Sequence, residues 1–156
     1  MTDFPQDREL VLDRMLHAPR AAVWRCWTEA DLLRRWFVPA PWTVAAAVVD
    51  PRPGGAFDVT MRSPEGQEMP HRGTILDIVP GERIVTTDAF TAGFLPGDGP
   101  PFMVATMTFA DDDGGTRYVA RARHWSVESR EQHAAMGFDT GWNRCADQLE
   151  ALARTL

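Results

Sequence analysis

The sequence predicts an α+β fold in which a curved antiparallel sheet of about seven strands grips one long C-terminal helix. Three observations carry this reading. Residues 126–156 hold the longest helical pattern in the chain and no proline. Short apolar runs separated by Pro/Gly turns fill the middle of the chain, and consecutive strands on tight turns pair antiparallel. A sheet of that size must cover one face, and only the C-terminal helix is long enough to do it.

The elements follow in order. Arg8 to Leu16 reads as a strand, with Leu10, Leu12 and Leu16 on one face. Pro19 opens a short helix at its first position, where a missing N–H costs nothing. Val23, Trp24 and Trp27 give that helix an apolar face. Thr28 to Asp31 resembles a capping box and starts a second short helix through Leu32, Leu33 and Trp36. Pro39 and Pro41 end it.

Thr43 to Val49 is an Ala/Val strand, closed by the turn Asp50-Pro51-Arg52-Pro53-Gly54-Gly55. Ala56 to Arg62 alternates, with Phe57, Val59 and Met61 on one side and Asp58, Thr60 and Arg62 on the other. Asp58 and Arg62 share a face and can pair across strands with Arg72 or Glu68. Ser63 to Gly66 suits a type I turn. His71 to Val79 and Arg83 to Asp88 are the next strands, joined at Pro80-Gly81.

Thr91 to Pro101 is too rich in Gly and Pro for a regular element. Its Phe94 and Leu95 must pack somewhere, and a cavity mouth is the expected place. Phe102 to Phe109 is a strand with Met103, Ala105, Met107 and Phe109 on one face. After the hairpin at Asp111–Gly115, Thr116 to Trp125 sets Arg117, Arg121 and Arg123 towards solvent, and Tyr118, Ala120, Ala122 and His124 inwards.

The final helix is capped by Ser126, whose oxygen can accept from a free first-turn N–H. Phe138, Trp142, Cys145, Leu149, Leu152 and Leu156 form its apolar stripe. Gly137 and Gly141 interrupt it, each at a cost of about 1 kcal/mol against alanine. A close neighbour or a bend there is the expected reason.

A formal net charge of −6 is the wrong sign for tracking nucleic-acid phosphates or an anionic membrane. No apolar run reaches the roughly 18 residues of a membrane span, and the N-terminus lacks a secretory signal. A cytoplasmic place is expected. Cys26 and Cys145 sit in apolar helical patterns and read as small buried hydrophobes; a cytoplasmic setting disfavours a bridge between them. Asp111-Asp112-Asp113 reads as a solvated hairpin tip rather than a metal site.

Several motifs, taken in order, resemble the activator of heat-shock-protein-90 ATPase-like family. They are His17–Trp24 with Trp27-Thr28 and Arg35-Trp36-Phe37, the Asp50–Gly55 turn, Gly73–Pro80 with Glu82-Arg83, and Gly137-Phe138 with Gly141-Trp142. The resemblance implies one START/Bet v 1-like (SRPBCC) domain over residues 1–156, a helix-grip fold, and an apolar cavity between sheet and long helix.

No catalytic, phosphate-binding or metal motif is found, so neither cofactor nor metal is expected. Three readings stay open. The first is non-catalytic binding of a small apolar or amphipathic ligand, lined or gated by Trp24, Trp27, Phe57, Phe94, Met103, Met107, Tyr118, His124, Phe138 and Trp142. The second is a cyclase- or hydrolase-type enzyme using His71, His124 or Tyr118 in the same cavity. The third is a stress-related interaction module, either a chaperone partner or a homodimer. His133, near the start of the long helix, is expected at the surface.

Overall fold

The computed structural model describes residues 3–156. After a 3₁₀ turn at Gln6–Arg8 come β1 (Glu9–Leu16), α1 (Arg20–Thr28) and α2 (Ala30–Leu33). Then follow β2 (Thr43–Val49), β3 (Phe57–Arg62), β4 (Glu68–His71), β5 (Thr74–Val79) and β6 (Arg83–Thr87). A minimal hairpin, β7 (Phe90–Thr91) and β8 (Leu95–Pro96), precedes the long strands β9 (Met103–Asp112) and β10 (Gly115–His124). The chain ends in α3 (Val127–Ala135) and α4 (Phe138–Ala153).

The strands form a five-stranded antiparallel sheet, β1-β10-β9-β6-β5, and a three-stranded one, β2-β3-β4. The Ala56–Thr74 bridge and the Phe57 N–H to Gly73 carbonyl bond (3.0 Å) stitch them together. Bulges in β2 and β5 add the local twist that curves such a sheet. The fold is therefore α+β and helix-grip in form, with a looser strand count than seven.

The single strand expected over His71–Val79 is divided. β4 pairs with β3, and β5 pairs with β6. Gly73 makes the switch between sheets. A Cβ there would stand 2.7 Å from the Thr87 carbonyl oxygen, so the backbones can approach only without one.

Alternation places the outer face of β10 as expected. Arg117 pairs with Asp13 at 2.7 Å, and Arg121 and Arg123 both hold Glu9, at 3.0 and 2.7 Å. Arg62 pairs with Glu68 at 2.7 Å, while the Asp58 carboxylate accepts from the Gly73 N–H. The Ser63–Gly66 turn closes with its 2.9 Å backbone bond.

Two local expectations fail. The capping box at Thr28 does not form, because α1 runs through Thr28 and its hydroxyl bonds back to the Trp24 carbonyl. The second helix therefore starts from Glu29, with no side-chain cap. Thr91–Pro101 holds the short β7–β8 hairpin. There Leu95 is exposed, and Phe94 (49% exposed) lies against Gly54 instead of over a cavity mouth.

The C-terminal helix is two helices. Ser126 caps α3 as expected, accepting from the Ser129 N–H at 3.1 Å. The helix stops at Met136, and Gly137 takes φ +96° before α4 begins. That left-handed conformation is open to glycine and strained for other residues. No atom lies within 4 Å of a Cβ built at either Gly137 or Gly141. The close neighbour expected against these glycines is thus missing, and the break at Gly137 is the finding.

The amphipathic face of α4 buries Phe138, Ala146, Leu149, Leu152 and Ala153. Polar pins fix it. Gln148 donates to the carbonyls of Trp36 and Val38 (2.9 and 2.7 Å) and accepts from the Ala40 N–H (3.0 Å). Arg14 pairs with Asp147 at 2.9 Å. The Gln148 bonds hold the segment after α2 against α4, and the Arg14 pair holds β1 there.

Candidate functional site

A cavity of about 640 Å³ lies between the inner face of the sheet and the α1–α2 and α3–α4 segments. This is inside the range of roughly 300–1,000 Å³ usual for small-molecule sites. Two aromatic clusters shape it. In the first, Trp27 meets Trp36 edge-on (centroids 5.0 Å apart) and Phe37 at 5.7 Å, and stacks on Phe57 at 6.0 Å. In the second, Phe138 and Trp142 lie 4.5 Å apart, and His133 packs on both, at 5.2 and 5.8 Å, and on Phe102 at 4.8 Å. Met103, Ala105, Met107 and Tyr118 line the sheet side.

Of the ten residues expected at the site, Trp27, Phe57, Met103 and Met107 line the cavity, as do Tyr118, Phe138 and Trp142. Trp24, Phe94 and His124 do not. Trp24 shares α1 with Trp27 but turns to Phe109, edge-on at 5.4 Å. Phe94 is held on Gly54. His124 points inwards and is fully buried, but it is spent on bonds to the Arg8 carbonyl and to His133.

Sequence reasoning missed Trp36, Phe37, Phe102 and His133. The first two were visible as an aromatic pair next to a helix end. His133 is the larger error: it is 7% exposed and lines the cavity.

The polar groups are few. Burial raises the Tyr118 phenol well above its usual range. The neighbouring Trp27 indole favours the ionised form without completing a hydrogen bond, so its N–H is the only fully buried side-chain nitrogen or oxygen among the described residues with no partner. Burial, with the His124 ring adding to it, lowers His133 to about 4. Burial also lifts the Cys26 and Cys145 thiols to about 11, and both are free. The Asp88 carboxylate is taken by the N–H groups of Phe102 and Met103.

His71, His124 and Tyr118 form no catalytic set. His71 lines the cavity from its exposed edge on β4, Tyr118 lines it from a buried position, and His124 is engaged behind the wall. Among the described residues no group of three His, Cys, Asp or Glu side chains is arranged to hold a metal ion. No helix there is long and apolar enough to cross a membrane.

A curved antiparallel sheet closed over a C-terminal helix, with an apolar cavity between, defines the helix-grip class. The chain belongs to the family described as Activator of Hsp90 ATPase homolog 1-like protein, whose model matches residues 17–154. A solved structure from Nitrosomonas europaea is 38% identical over 97% of both chains, with a TM-score of 0.93. One from Chromobacterium violaceum is 29% identical, over 94% of this chain and 97% of that one, with a TM-score of 0.74. One from Rhodobacter sphaeroides, 19% identical over 99% and 97%, shares the fold at a TM-score of 0.83. No curated protein matches the chain.

Proposed function

We propose that this protein binds a small apolar or amphipathic molecule in the cavity between sheet and C-terminal helices, without catalysing its conversion. The carrying observation is a cavity of about 640 Å³ walled largely by aromatic and methionine side chains. In this reading Trp27, Phe57 and Tyr118 contact the ligand on one flank, and Phe138 and Trp142 on another.

Native mass spectrometry of freshly purified protein tests the proposal. The expected result is a complex heavier than the chain, with the excess mass released as a small molecule on denaturation. A mass unchanged by denaturation, together with no uptake of 1-decanol by the purified protein, would refute it.

A further inference from the structure

Beneath α3 lies a histidine pair whose tautomers the geometry fixes when both rings are neutral. His124 Nδ1 stands 2.9 Å from the Arg8 carbonyl oxygen. A carbonyl only accepts, so Nδ1 carries the proton, and in the neutral ring Nε2 is bare. That bare nitrogen stands 2.9 Å from His133 Nδ1. The bond between them therefore needs the proton on His133 Nδ1. His133 Nε2 is left with a lone pair.

This last nitrogen has no partner among the described residues, yet it is not sealed, because only Trp27 Nε1 is both fully buried and unpartnered. Solvent reaches it, and His133 is one of the residues that line the cavity. Phe102, Phe138 and Trp142 surround the ring, which leaves it little freedom to turn. The depressed basicity of His133 keeps the lone pair free at neutral pH.

We propose that the Arg8–His124–His133 relay presents a fixed hydrogen-bond acceptor, His133 Nε2, to the cavity, and that the ligand is an apolar molecule carrying a hydroxyl or N–H donor that meets it. This rests on the cavity being a ligand site. His124 is a positioning residue: it selects the His133 tautomer and touches no ligand. A carboxylate-headed ligand has no proton to offer at this point and is disfavoured.

Two isomers of equal size, 1-decanol and methyl nonyl ether, test the proposal, because only the alcohol has a donor. Quenching of tryptophan fluorescence reports binding, since Trp27, Trp36 and Trp142 line the cavity. The wild type should bind the alcohol roughly 3- to 10-fold tighter, the worth of one neutral hydrogen bond. His133→Phe keeps an aromatic ring in the cluster and should erase that preference, bringing the alcohol-to-ether affinity ratio to about one. On the wild type, the ¹⁵N signals of His133 should show the Nδ1–H tautomer, and its Nε2 signal should move with decanol and not with the ether.

Equal affinities in the wild type, a preference that survives His133→Phe, or an Nε2–H tautomer would each overturn the relay while leaving the ligand site standing. If neither isomer binds, the ligand site itself falls, and the relay with it. Should His133→Phe fail to fold, the tautomer and the decanol-induced shift on the wild type decide the matter.

Discussion

The two glycines of the C-terminal segment predict opposite responses to the same substitution. Gly141 lies inside α4, and a Cβ there meets nothing within 4 Å. Gly141→Ala should therefore stabilise by about 1 kcal/mol, the helix-propensity difference. Gly137 has equally open space but sits at φ +96°. Alanine there must adopt a left-handed conformation, at a cost of roughly 1–2 kcal/mol, so Gly137→Ala should destabilise. The two variants should differ by about 2–3 kcal/mol in total. Urea unfolding measures this as a split in midpoints about the wild type, valid if the slopes agree. If Gly137→Ala stabilised as Gly141→Ala does, α3 and α4 would be one continuous helix, and the account of how His133 reaches the cavity would be wrong.

Two further outcomes follow from the site. His133 has its folded pKa lowered to about 4 from 6.5, so the unfolded chain takes up a proton that the folded one resists; its contribution is full above 6.5 and is lost as pH falls towards 4. Between pH 7 and 5 that loss is at most roughly 2 kcal/mol and about half of it once solvent on the cavity side is allowed for, and His133→Phe should flatten this part of the stability–pH curve measured by urea titration. Ala105 is buried in the sheet wall of the cavity, so Ala105→Leu should fill empty space and stabilise by up to roughly 2 kcal/mol while weakening decanol uptake. A loss of 1–3 kcal/mol, the mark of overpacking, would show in a thermal melt that the space is not there.

The fold was legible where its causes are local. Alternation in β3, β9 and β10, the Ser63–Gly66 turn and the Ser126 cap are each set by a few neighbouring residues. What escaped depends on distant backbone. Gly73 divides a strand because the Thr87 carbonyl, on another strand, comes too close for a Cβ. Nothing around Gly73 in the sequence records that. Trp24 and Trp27 stand three residues apart on one helical face, so periodicity alone could not separate the residue facing Phe109 from the one facing the cavity. His133 shows the limit best. On a continuous helix at about 100° per residue, the nine steps to Trp142 put the two on opposite sides. The left-handed residue at Gly137 resets that angle and brings the rings to 5.8 Å. A glycine inside a helical pattern does not announce which of the two it will do.

The proposed binding role agrees with the chemistry of the groups around the cavity. Burial pushes each strongly shifted lining group towards its neutral form: His133 down to about 4, Cys145 up to about 11, Tyr118 higher still. A general acid or base works best with its pKa near the working pH, and burial has moved all three away from it. The Asp88 charge is consumed by two backbone amides, while His71 and Arg72 are exposed. What remains inside is one orphaned acceptor, His133 Nε2, on a ring held by aromatic packing. A neutral molecule with an apolar body and a hydroxyl donor matches that acceptor. An anion would have to leave water for a largely apolar space whose one lining arginine, Arg72, stands at the exposed edge, and deeper in it would lose its hydration for little return.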